Sequence, residues 1–515
     1  MRLHKLFPVA LVLASTACRQ PTSIDGARSS PAEDRVRFLA EEFVHTSLAL
    51  RPSDATAQGY HEHRGIALDE QLDDYSPANL DRARKFFHLT LEHAGRLANP
   101  KLAPELTADL AMIKLECQSR LLDLDSIQPY RHNPTLYIEA LGNALYAPFI
   151  LNYAPEAKRF AQITTRIEKI PQFLETAKQN LTDSPEIWNH VAQAENAGNL
   201  DLIDHTIRAK IPPALKPRYD AAATKALAAL QGFNLFLQND LAKRSGDWRL
   251  GEQLYDEKFK LTLATGDTPQ QTLADAEALL QSLREDMRKQ AIAVYPKFFP
   301  GKTPPGDLNT VVSQVLDKIA REHATPEQYF SDAQHDLAEA AQFVKDRRLL
   351  TLPSRGHLQV IPTPEFMRGI YGVGGFSPAP ALEPQLGSYF WITPFTSDMT
   401  PVRIESKLRE YNLYGLQILT IHEAMPGHYV QFEYADDLQP SWRRALRAIY
   451  SNGPYVEGWA VYATELMIDE GYRNTPEMKL TFAKQMLRVV SNTILDVKLH
   501  TMGMTDRQAL EPDDQ

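Results

Sequence analysis

Leu419-Thr-Ile-His422-Glu423-Ala-Met-Pro426-Gly427-His428-Tyr-Val-Gln431 carries more structural information than any other part of this 515-residue chain. It sets two histidines and a glutamate within an apolar run of helical character. In the pattern H-E-x-x-H, histidines four residues apart share one helical face and can bind one zinc ion, with the glutamate as general base. In this chain the second histidine follows the first by six residues instead of four.

The six-residue spacing does not suit a regular helix. Six residues turn a helix by about 240° and advance it by about 9 Å, so the two imidazoles would not reach one ion. Pro426 lacks an N–H, and Gly427 accepts backbone angles that other residues resist, so the helix can bulge at this point. The alternative is a helix broken at the proline, whose histidines are ordinary polar residues near a turn.

A second segment favours the metal-binding interpretation. Glu457-Gly-Trp-Ala-Val-Tyr-Ala-Thr-Glu465-Leu opens a predicted helix behind the turn Ser451-Asn-Gly-Pro454. Two neutral imidazoles, one carboxylate and an open water position form a common catalytic zinc site, and Glu457 can supply the carboxylate. Taken alone, Glu457 is more commonly explained as a solvated carboxylate in the first turn of a helix, where the helix dipole favours it.

The segments H-E-A-M-P-G-H-Y-V-Q and E-G-W-A-V-Y resemble the signature segments of a bacterial family known as domain of unknown function 885. The resemblance extends to Gly387-Ser-Tyr-Phe-Trp-Ile-Thr-Pro394 and to the stretch from Asn492 to Thr505, and so covers most of the chain after about residue 350. It implies a mainly α, zincin-like fold and zinc-dependent peptide hydrolysis. The implied ligands of one zinc ion are His422, His428 and Glu457, with Glu423 as base.

The carboxyl end departs from this resemblance. Relatives continue through further helices after the segment that ends at Thr505, whereas this sequence stops at Glu511-Pro-Asp-Asp-Gln515. We therefore expect a zincin-like catalytic region at 308–515 that is truncated at its C-terminus.

The amino terminus predicts export. Arg2 and Lys5 precede the apolar run from Leu6 to Ala14, which is about half the length needed to cross a bilayer. The string Leu13-Ala-Ser-Thr-Ala-Cys18 resembles a bacterial lipoprotein signal, so 1–18 is the expected signal peptide, Cys18 the lipidated residue and 19–33 a polar tether. Cleavage by the ordinary signal peptidase is the alternative. The expected location is the cell envelope, as a periplasm-facing lipoprotein held by its lipid anchor, in the outer membrane if the cell has one.

Composition excludes one class of partner. The net charge is −10, and there is no basic run or aromatic-basic interleaving, so we expect no nucleic acid partner. Of the two cysteines, Cys18 is lipidated or removed, and Cys117 is expected to be a buried core residue without catalytic function.

Hydrophobic periodicity predicts a mainly α fold with a large helical region at 34–294. The Pro- and Gly-rich segment from Tyr295 to Asp307 is the expected boundary with the catalytic region, and we expect the two regions to pack as one body. Predicted helices run over 34–50, 79–98, 155–181, 185–209, 218–242, 268–294 and 326–349.

Between about 350 and 400, short apolar stretches broken by Pro and Gly predict a small β element beside the active-site helix. In zincins an edge strand can bind an extended peptide through its main chain. The stretch from Tyr389 to Thr393 is the candidate, with Tyr389 and Trp391 at the substrate. A hairpin that covers the core is the alternative.

The last predicted helix, from Pro476 to about Met502, adds weaker candidates. Asp496 and His500 are four residues apart, so the carboxylate can orient an imidazole that stabilises an oxyanion. Arg488 and Lys498 are candidates for holding a substrate carboxylate. Ordinary helix salt bridging explains the same residues.

Residues near Glu457 add two further candidates. Tyr462 is a second candidate for stabilising the oxyanion, and Glu465 is a carboxylate that could orient a ligand.

Together these observations predict an exported zinc peptidase that acts on a peptide substrate. The rival interpretation is a non-catalytic envelope lipoprotein that keeps the helical fold for binding or structure. A third interpretation, haem held by His422 or His428 with Met425, lacks a C-x-x-C-H attachment site.

Overall fold

The structure is a computed structural model that describes residues 31–510, apart from 355, 357, 364–367, 369–370 and 397–398. The predicted signal peptide, Cys18 and most of the tether lie outside the described residues. Among the helices that the described residues form, none is both long and apolar enough to cross a membrane.

The first part of the chain is almost entirely helical. Its helices are α1 (Pro31–Leu50), α2 (Pro52–Ala57), α3 (Pro77–Leu97), α4 (Pro104–Leu122), α5 (Pro129–His132), α6 (Thr135–Ile150), α7 (Glu156–Asn180), α8 (Glu186–Asp201), α9 (Lys216–Asn239), α10 (Gly251–Leu263) and α11 (Pro269–Phe298). A two-stranded ribbon, β1 (Glu62–His63) and β2 (Ile66–Ala67), separates α2 from α3.

The second part combines helices with a three-stranded sheet. Its helices are α12 (Leu308–Ile319), α13 (Tyr329–Arg347), α14 (Pro401–Glu410), α15 (Leu413–Glu423), α16 (His428–Ala435), α17 (Ser441–Tyr450), α18 (Gly453–Asp469), α19 (Pro476–Thr501) and α20 (Asp506–Leu510). The strands are β3 (Leu358–Pro362), β4 (Gly374–Ser377) and β5 (Ser388–Ile392). The predicted fold class, mainly α with small β elements, is confirmed.

The order of the sheet is β3-β5-β4, with β3 parallel and β4 antiparallel to β5. The strand predicted as the edge, β5, therefore lies in the centre and has both of its sides paired. The prediction of an edge strand from Tyr389 to Thr393 is wrong, because β3 occupies the side that a peptide would need. Within the described residues, the side of β4 away from β5 has no partner strand, and this free edge runs beside the predicted active-site helix.

Side chains at the helix ends explain several boundaries. The Thr268 hydroxyl accepts a hydrogen bond from the Gln271 amide, which confirms the predicted start of α11. Thr325 accepts from the Gln328 amide, but that turn is not helical, and α13 begins only at Tyr329.

Two hydrophobic cores hold the site in place. One joins α1, α3 and α4 to Trp442, Ala445 and Leu446 of α17, so the first part of the chain packs directly on the second. The other gathers buried side chains of α13, β5, α15 and α16, with Ile421 of α15 fully buried. Cys117 is fully buried in the first core, and burial raises the pKa of its thiol to about 12, which confirms that it is a core residue.

Helix α11 runs through Tyr295 to Phe298, beyond the predicted end at Val294, and packs along α19. The division of the chain at the segment from Tyr295 to Asp307 stays a prediction.

Candidate metal centre

Helix α15 presents His422 and Glu423 in its last turn. The Asn412 side chain caps the helix by accepting hydrogen bonds from the amides of Tyr414 and Gly415, which fixes where the helix begins. Eleven residues later the helix ends at Glu423. The predicted bulge is therefore a complete interruption, because α16 begins only at His428.

Gly427 allows the chain to turn sharply between α15 and α16. Its amide donates to the Ile421 carbonyl at 3.0 Å, and the peptide bond between Met425 and Pro426 is cis. A Cβ atom on Gly427 would lie 1.9 Å from the His422 carbonyl oxygen, so a larger residue does not fit this backbone. Proline and glycine together thus make the break that the sequence spacing requires.

Trp459 of α18 fastens this break. Its indole N–H lies 3.0 Å from the Pro426 carbonyl oxygen and 3.1 Å from that of Gly427. The Gly427 carbonyl also accepts from the Gln431 amide of α16, so the indole adds a second donor there and supplies a donor to the Pro426 carbonyl at the interruption. Sequence reasoning missed this contact, although Trp459 lies two residues after Glu457.

The interruption brings His422, His428 and Glu457 together. Glu457 Oε2 lies 3.2 Å from His422 Nε2 and 3.7 Å from His428 Nε2, and the two imidazole centroids are 4.7 Å apart. Within the described residues, these three side chains form the group whose ligand atoms could hold one metal ion, all within 4.8 Å of one another.

The electrostatics of Glu457 and His428 favour the protonation states in which these residues bind a metal ion. The hydrogen bond from His422 lowers the pKa of Glu457 despite its partial burial. Burial and the neighbouring His422 lower the pKa of His428 to about 4, so this imidazole is neutral. Burial disfavours protonated His422, but the carboxylates of Glu457 and Glu423 outweigh that and raise its pKa.

The residues present fit a zinc ion. Zinc takes neutral imidazole and carboxylate ligands at about 2.0–2.2 Å, and two histidines with one carboxylate are a known catalytic set. His428 Nε2 is the ring nitrogen that faces Glu457. The other ring nitrogen, Nδ1, is buried and has no hydrogen-bond partner among the described residues.

Glu423 lies beside these three side chains and is held by β4. The backbone N–H of Phe376 donates a hydrogen bond to its carboxylate, and burial raises the pKa of Glu423 to about 7. The Phe376 ring lies 6.3 Å from the His428 imidazole at an interplanar angle of 25°. Strand β4 thus forms one wall of the cleft that contains the candidate metal centre.

Residues alternate along β4 between its partner strand and its free edge. The Thr393 amide donates to the Val373 carbonyl, so Val373 and, by alternation, Gly375 and Ser377 face β5. Gly374 and Phe376 direct their main-chain groups to the free edge, on the side of Glu423.

The predicted substrate residues of β5 do not present a free main chain to this cleft. Trp391 is buried, and Tyr389 is partly buried and electrostatically coupled to Tyr146 of α6. Tyr462, predicted to stabilise an oxyanion, is 54% exposed, and its ring lies 6.1 Å from that of Trp459. Two partly buried tyrosines that sequence reasoning missed, Tyr371 and Tyr411, are electrostatically coupled to Glu423.

The structure does not join His500 to the three candidate ligands. Its Nδ1 accepts a hydrogen bond from the Leu250 amide, and its ring packs against Trp248 and Tyr255. His500 Nε2 lies 3.8 Å from Asp496 Oδ1, too far for a hydrogen bond, and Asp496 accepts from the Tyr255 hydroxyl instead. These contacts place the predicted pair against α10.

The remaining predicted residues make ion pairs or line another cavity. Arg488 pairs with Glu410 at 2.5 Å, and Lys498 pairs with Glu277 at 2.6 Å. Glu465 lines a small cavity between α11, α18 and α19. For Arg488 and Lys498, salt bridging between helices accounts for the contacts observed.

Comparison with known proteins places this geometry in a wider group. A family model described as bacterial protein of unknown function, DUF885, matches residues 52–512. A solved structure from Shewanella oneidensis, described as a candidate lipoprotein of unknown function, is similar with a TM-score of 0.75 and 27% identity. That similarity covers 92% of this chain and 85% of the other. No curated protein matches the chain significantly.

Proposed function

Because the chain belongs to DUF885, a bacterial family of unknown function, we propose its activity from its own site: it is a zinc peptidase that hydrolyses peptide bonds with water. The observation that carries the proposal is the convergence of His422, His428 and Glu457 beside the carboxylate of Glu423. The expected ligands are the two imidazoles and the Glu457 carboxylate.

A zinc ion held by these three side chains would polarise the scissile carbonyl and lower the pKa of a water molecule. Glu423 takes the proton from the attacking water and delivers it to the leaving amine. The Phe376 amide fixes the carboxylate in place for both transfers. His428 is buried, its lowered pKa favours the neutral imidazole, and its Nε2 faces Glu457.

The substrate binds as an extended strand along β4. The free edge of β4 offers the N–H and carbonyl of Gly374 and the carbonyl of Phe376 to a peptide, whereas the Phe376 N–H is already bound to Glu423. A peptide in this position passes the Glu423 carboxylate, because the Phe376 amide already contacts it. Recognition through the main chain makes few demands on the side chains of the substrate.

Export and lipid attachment at Cys18 belong to the same proposal. The arrangement of Arg2, Lys5, the apolar run and Cys18 supports it, as does the similar Shewanella oneidensis protein, which is described as a candidate lipoprotein. A non-catalytic envelope lipoprotein is the alternative.

The decisive experiment compares metal content and hydrolysis in three variants. Glu423→Gln should retain about one zinc per chain and lose hydrolysis of a mixed peptide library by about 10²–10⁴-fold, since it removes only the base. His422→Ala should lose both zinc and hydrolysis. Glu465→Gln makes the same change of carboxylate to amide at a residue away from the cleft, and should retain both.

Normal hydrolysis by Glu423→Gln would show that the assigned base is wrong. A folded, zinc-loaded wild-type protein that hydrolyses no peptide would favour the non-catalytic alternative.

A further inference from the structure

A cavity of about 440 Å³ lies in the first part of the molecule, apart from the three candidate ligands. Its walls come from α1, α2, the start of α3, the end of α4, α6 and the end of α17. This volume is typical of sites that bind small molecules.

The cavity lining has an excess of carboxylates. Five carboxylates face two guanidinium groups, which leaves a formal charge of −3 when all are ionised; they are Asp54, Asp73, Asp74, Glu116 and Asp123, with Arg51 and Arg120. Both arginines are already paired with lining carboxylates. Arg51 Nε lies 3.0 Å from Asp54 Oδ2, and Arg120 Nε lies 2.7 Å from Glu116 Oε1.

Asp73 is the carboxylate that most needs a further partner. Its side chain is only 3% exposed, and Oδ1 accepts hydrogen bonds from the amide and the hydroxyl of Ser53. Oδ2 has no hydrogen bond among the described residues, and Arg51 Nε is 4.0 Å away. A buried carboxylate oxygen without a donor costs free energy, so a ligand that donates to it is favoured.

A second aspartate, Asp123, and the aromatic rings of the lining indicate the chemical class of such a ligand. Burial raises the pKa values of both Asp73 and Asp123, despite the nearby positive charges of Arg51, Arg120 and Lys258, so both stand to gain from an added cation. Tyr75, Tyr130 and Phe87 also line the cavity, and aromatic faces attract ammonium groups and cover their alkyl chains.

An organic cation suits the cavity better than a metal ion. Within the described part of the chain, the side chains close enough to share one metal ion are His422, His428 and Glu457, and the cavity carboxylates do not form such a group. A lining that combines carboxylates with aromatic rings fits an ammonium group on an alkyl chain.

The cavity borders two segments that continue into the cleft. Ser451 lines it and ends α17, and α18, which carries Glu457, begins at Gly453. Gln58 also lines it and binds the segment that follows β4, since its side-chain oxygen accepts from the Ala381 amide at 3.2 Å. These two segments link the walls of the cavity to the elements that form the cleft.

We propose that this cavity binds an ammonium group of the peptide substrate, either a lysine side chain or the free amino terminus, away from the bond that is cleaved. That the ligand is a substrate rests on the proposed function, whereas binding of an ammonium group in the cavity does not. Asp73 accepts its hydrogen bond, the charge of Asp123 attracts it, and the aromatic walls contact the attached alkyl chain.

Calorimetry on the full chain carrying Glu423→Gln tests this without cleavage. The probes are a hexapeptide blocked at both ends with lysine at one terminal residue, the same peptide with norleucine, and the norleucine peptide with a free amino terminus. At least one ammonium-bearing peptide should bind about tenfold more tightly than the blocked norleucine peptide. Which of the two does so identifies the source of the ammonium group.

The tighter binding of the ammonium-bearing peptide should disappear in Asp123→Asn and in Asp73→Asn. An asparagine at position 73 keeps a side-chain oxygen that can accept the hydrogen bonds of Ser53. Asp275→Asn, an exposed aspartate on α11 with the same change of charge, should keep the tighter binding. Equal binding of all three peptides, or an advantage that survives in either folded cavity variant, overturns the proposal. So does calcium chloride, titrated alone, binding at these aspartates while the ammonium-bearing peptides do not.

Hydrolysis of the same peptides by the wild-type protein separates the two proposals. Hydrolysis without any preference for an ammonium group would contradict the proposed cavity site and support the proposed peptidase activity. Absence of hydrolysis together with ammonium-dependent binding would remove the peptidase and leave the cavity site.

Discussion

Gly427 is the residue on which the geometry of the candidate metal centre turns. Its hydrogen atom occupies a position where a methyl group would meet the carbonyl oxygens of His422 and Ile421 at 1.9 Å and 2.4 Å. Backbone atoms cannot move aside as a flexible side chain does. The requirement for glycine here is therefore steric, and it follows from the path of the chain.

We predict that Gly427→Ala destabilises the protein by at least about 2 kcal/mol and abolishes zinc binding, because the break between α15 and α16 must open to admit the methyl group. Chemical denaturation and metal analysis measure the two effects. Gly232→Ala is the matched control: it lies inside α9, its Cβ atom would meet no other atom, and it should be neutral or stabilising. Wild-type zinc content in Gly427→Ala would contradict the assigned geometry.

Asp336 makes a prediction about pH. It is buried between α13 and α15, where its carboxylate accepts a weak hydrogen bond from Gln417, and burial raises its pKa from 3.8 to about 7. The folded state thus binds the proton more tightly than the unfolded state. The resulting stability is fully present below about pH 4 and is lost as the pH rises through 7.

Asp336→Asn cannot ionise, so its stability relative to wild type should rise by more than about 1 kcal/mol between pH 5 and pH 8. Urea denaturation at the two pH values measures the difference. Asp275→Asn, exposed on α11, should show no such change. A constant difference between Asp336→Asn and wild type would mean that Asp336 is ionised throughout this range.

Helix α18 has two structural roles. It carries Glu457 toward the histidines, and its Trp459 indole binds the carbonyl oxygens of Pro426 and Gly427. The contacts of α18 with α15 and α16 therefore determine both the position of the third ligand and the shape of the break.

We predict that Trp459→Phe, which keeps a ring but removes the donor, weakens zinc binding by about 10–100-fold, as does loss of other groups that orient ligands. Competition with a chelator measures the affinity. Trp391→Phe is the control, because the buried indole N–H of Trp391 has no acceptor among the described residues. Equal zinc affinity in the two variants would show that the indole does not position the ligands.

The sequence pointed to the three candidate ligands, which the structure brings together, because their signals are local. The pair Pro426-Gly427 indicated that the chain changes direction there, and Glu457 lies in the first turns of α18. The order of the sheet could not be read in this way. Pairing of β5 with β3 and β4 depends on segments up to thirty residues apart, so hydropathy could indicate strands but not which of them has a free edge.

Helix α19 shows a second limit of the sequence. Spacing placed Asp496 and His500 on one face, but it could not reveal that α10 covers that face and that Tyr255 binds Asp496. The contact of Trp459 was hidden for a similar reason, since its acceptors are backbone carbonyls at the interruption, whose position the sequence does not give.

At the scale of the whole molecule, a buried ion pair joins the two parts of the chain. Arg443 of α17 binds Asp109 of α4 through Nε and a terminal nitrogen, at 2.9 Å and 2.7 Å from the same oxygen. The Asp109 side chain is only 4% exposed. Burial raises the pKa of Asp109 even with this arginine present.

We predict that Arg443→Met destabilises the protein by about 3–5 kcal/mol, because it leaves Asp109 buried without its main partner. Adding Asp109→Leu should recover most of the loss. Arg218→Met breaks an exposed pair with Glu168 and should cost less than about 1 kcal/mol. Thermal denaturation measures all three, and an equal loss at both pairs would show that the contact between α4 and α17 contributes little.

The double task of α18 has a consequence for how the protein responds to chelators. Helix α18 carries the third candidate ligand and also secures the backbone between the other two, so removal of a bound zinc ion would free Glu457. Any withdrawal of the helix would then release the loop at Pro426 as well. Gain and loss of the cation should accordingly be cooperative with local ordering. Amide hydrogen exchange near Gly427 should quicken on chelation, while α7 and α9 stay protected.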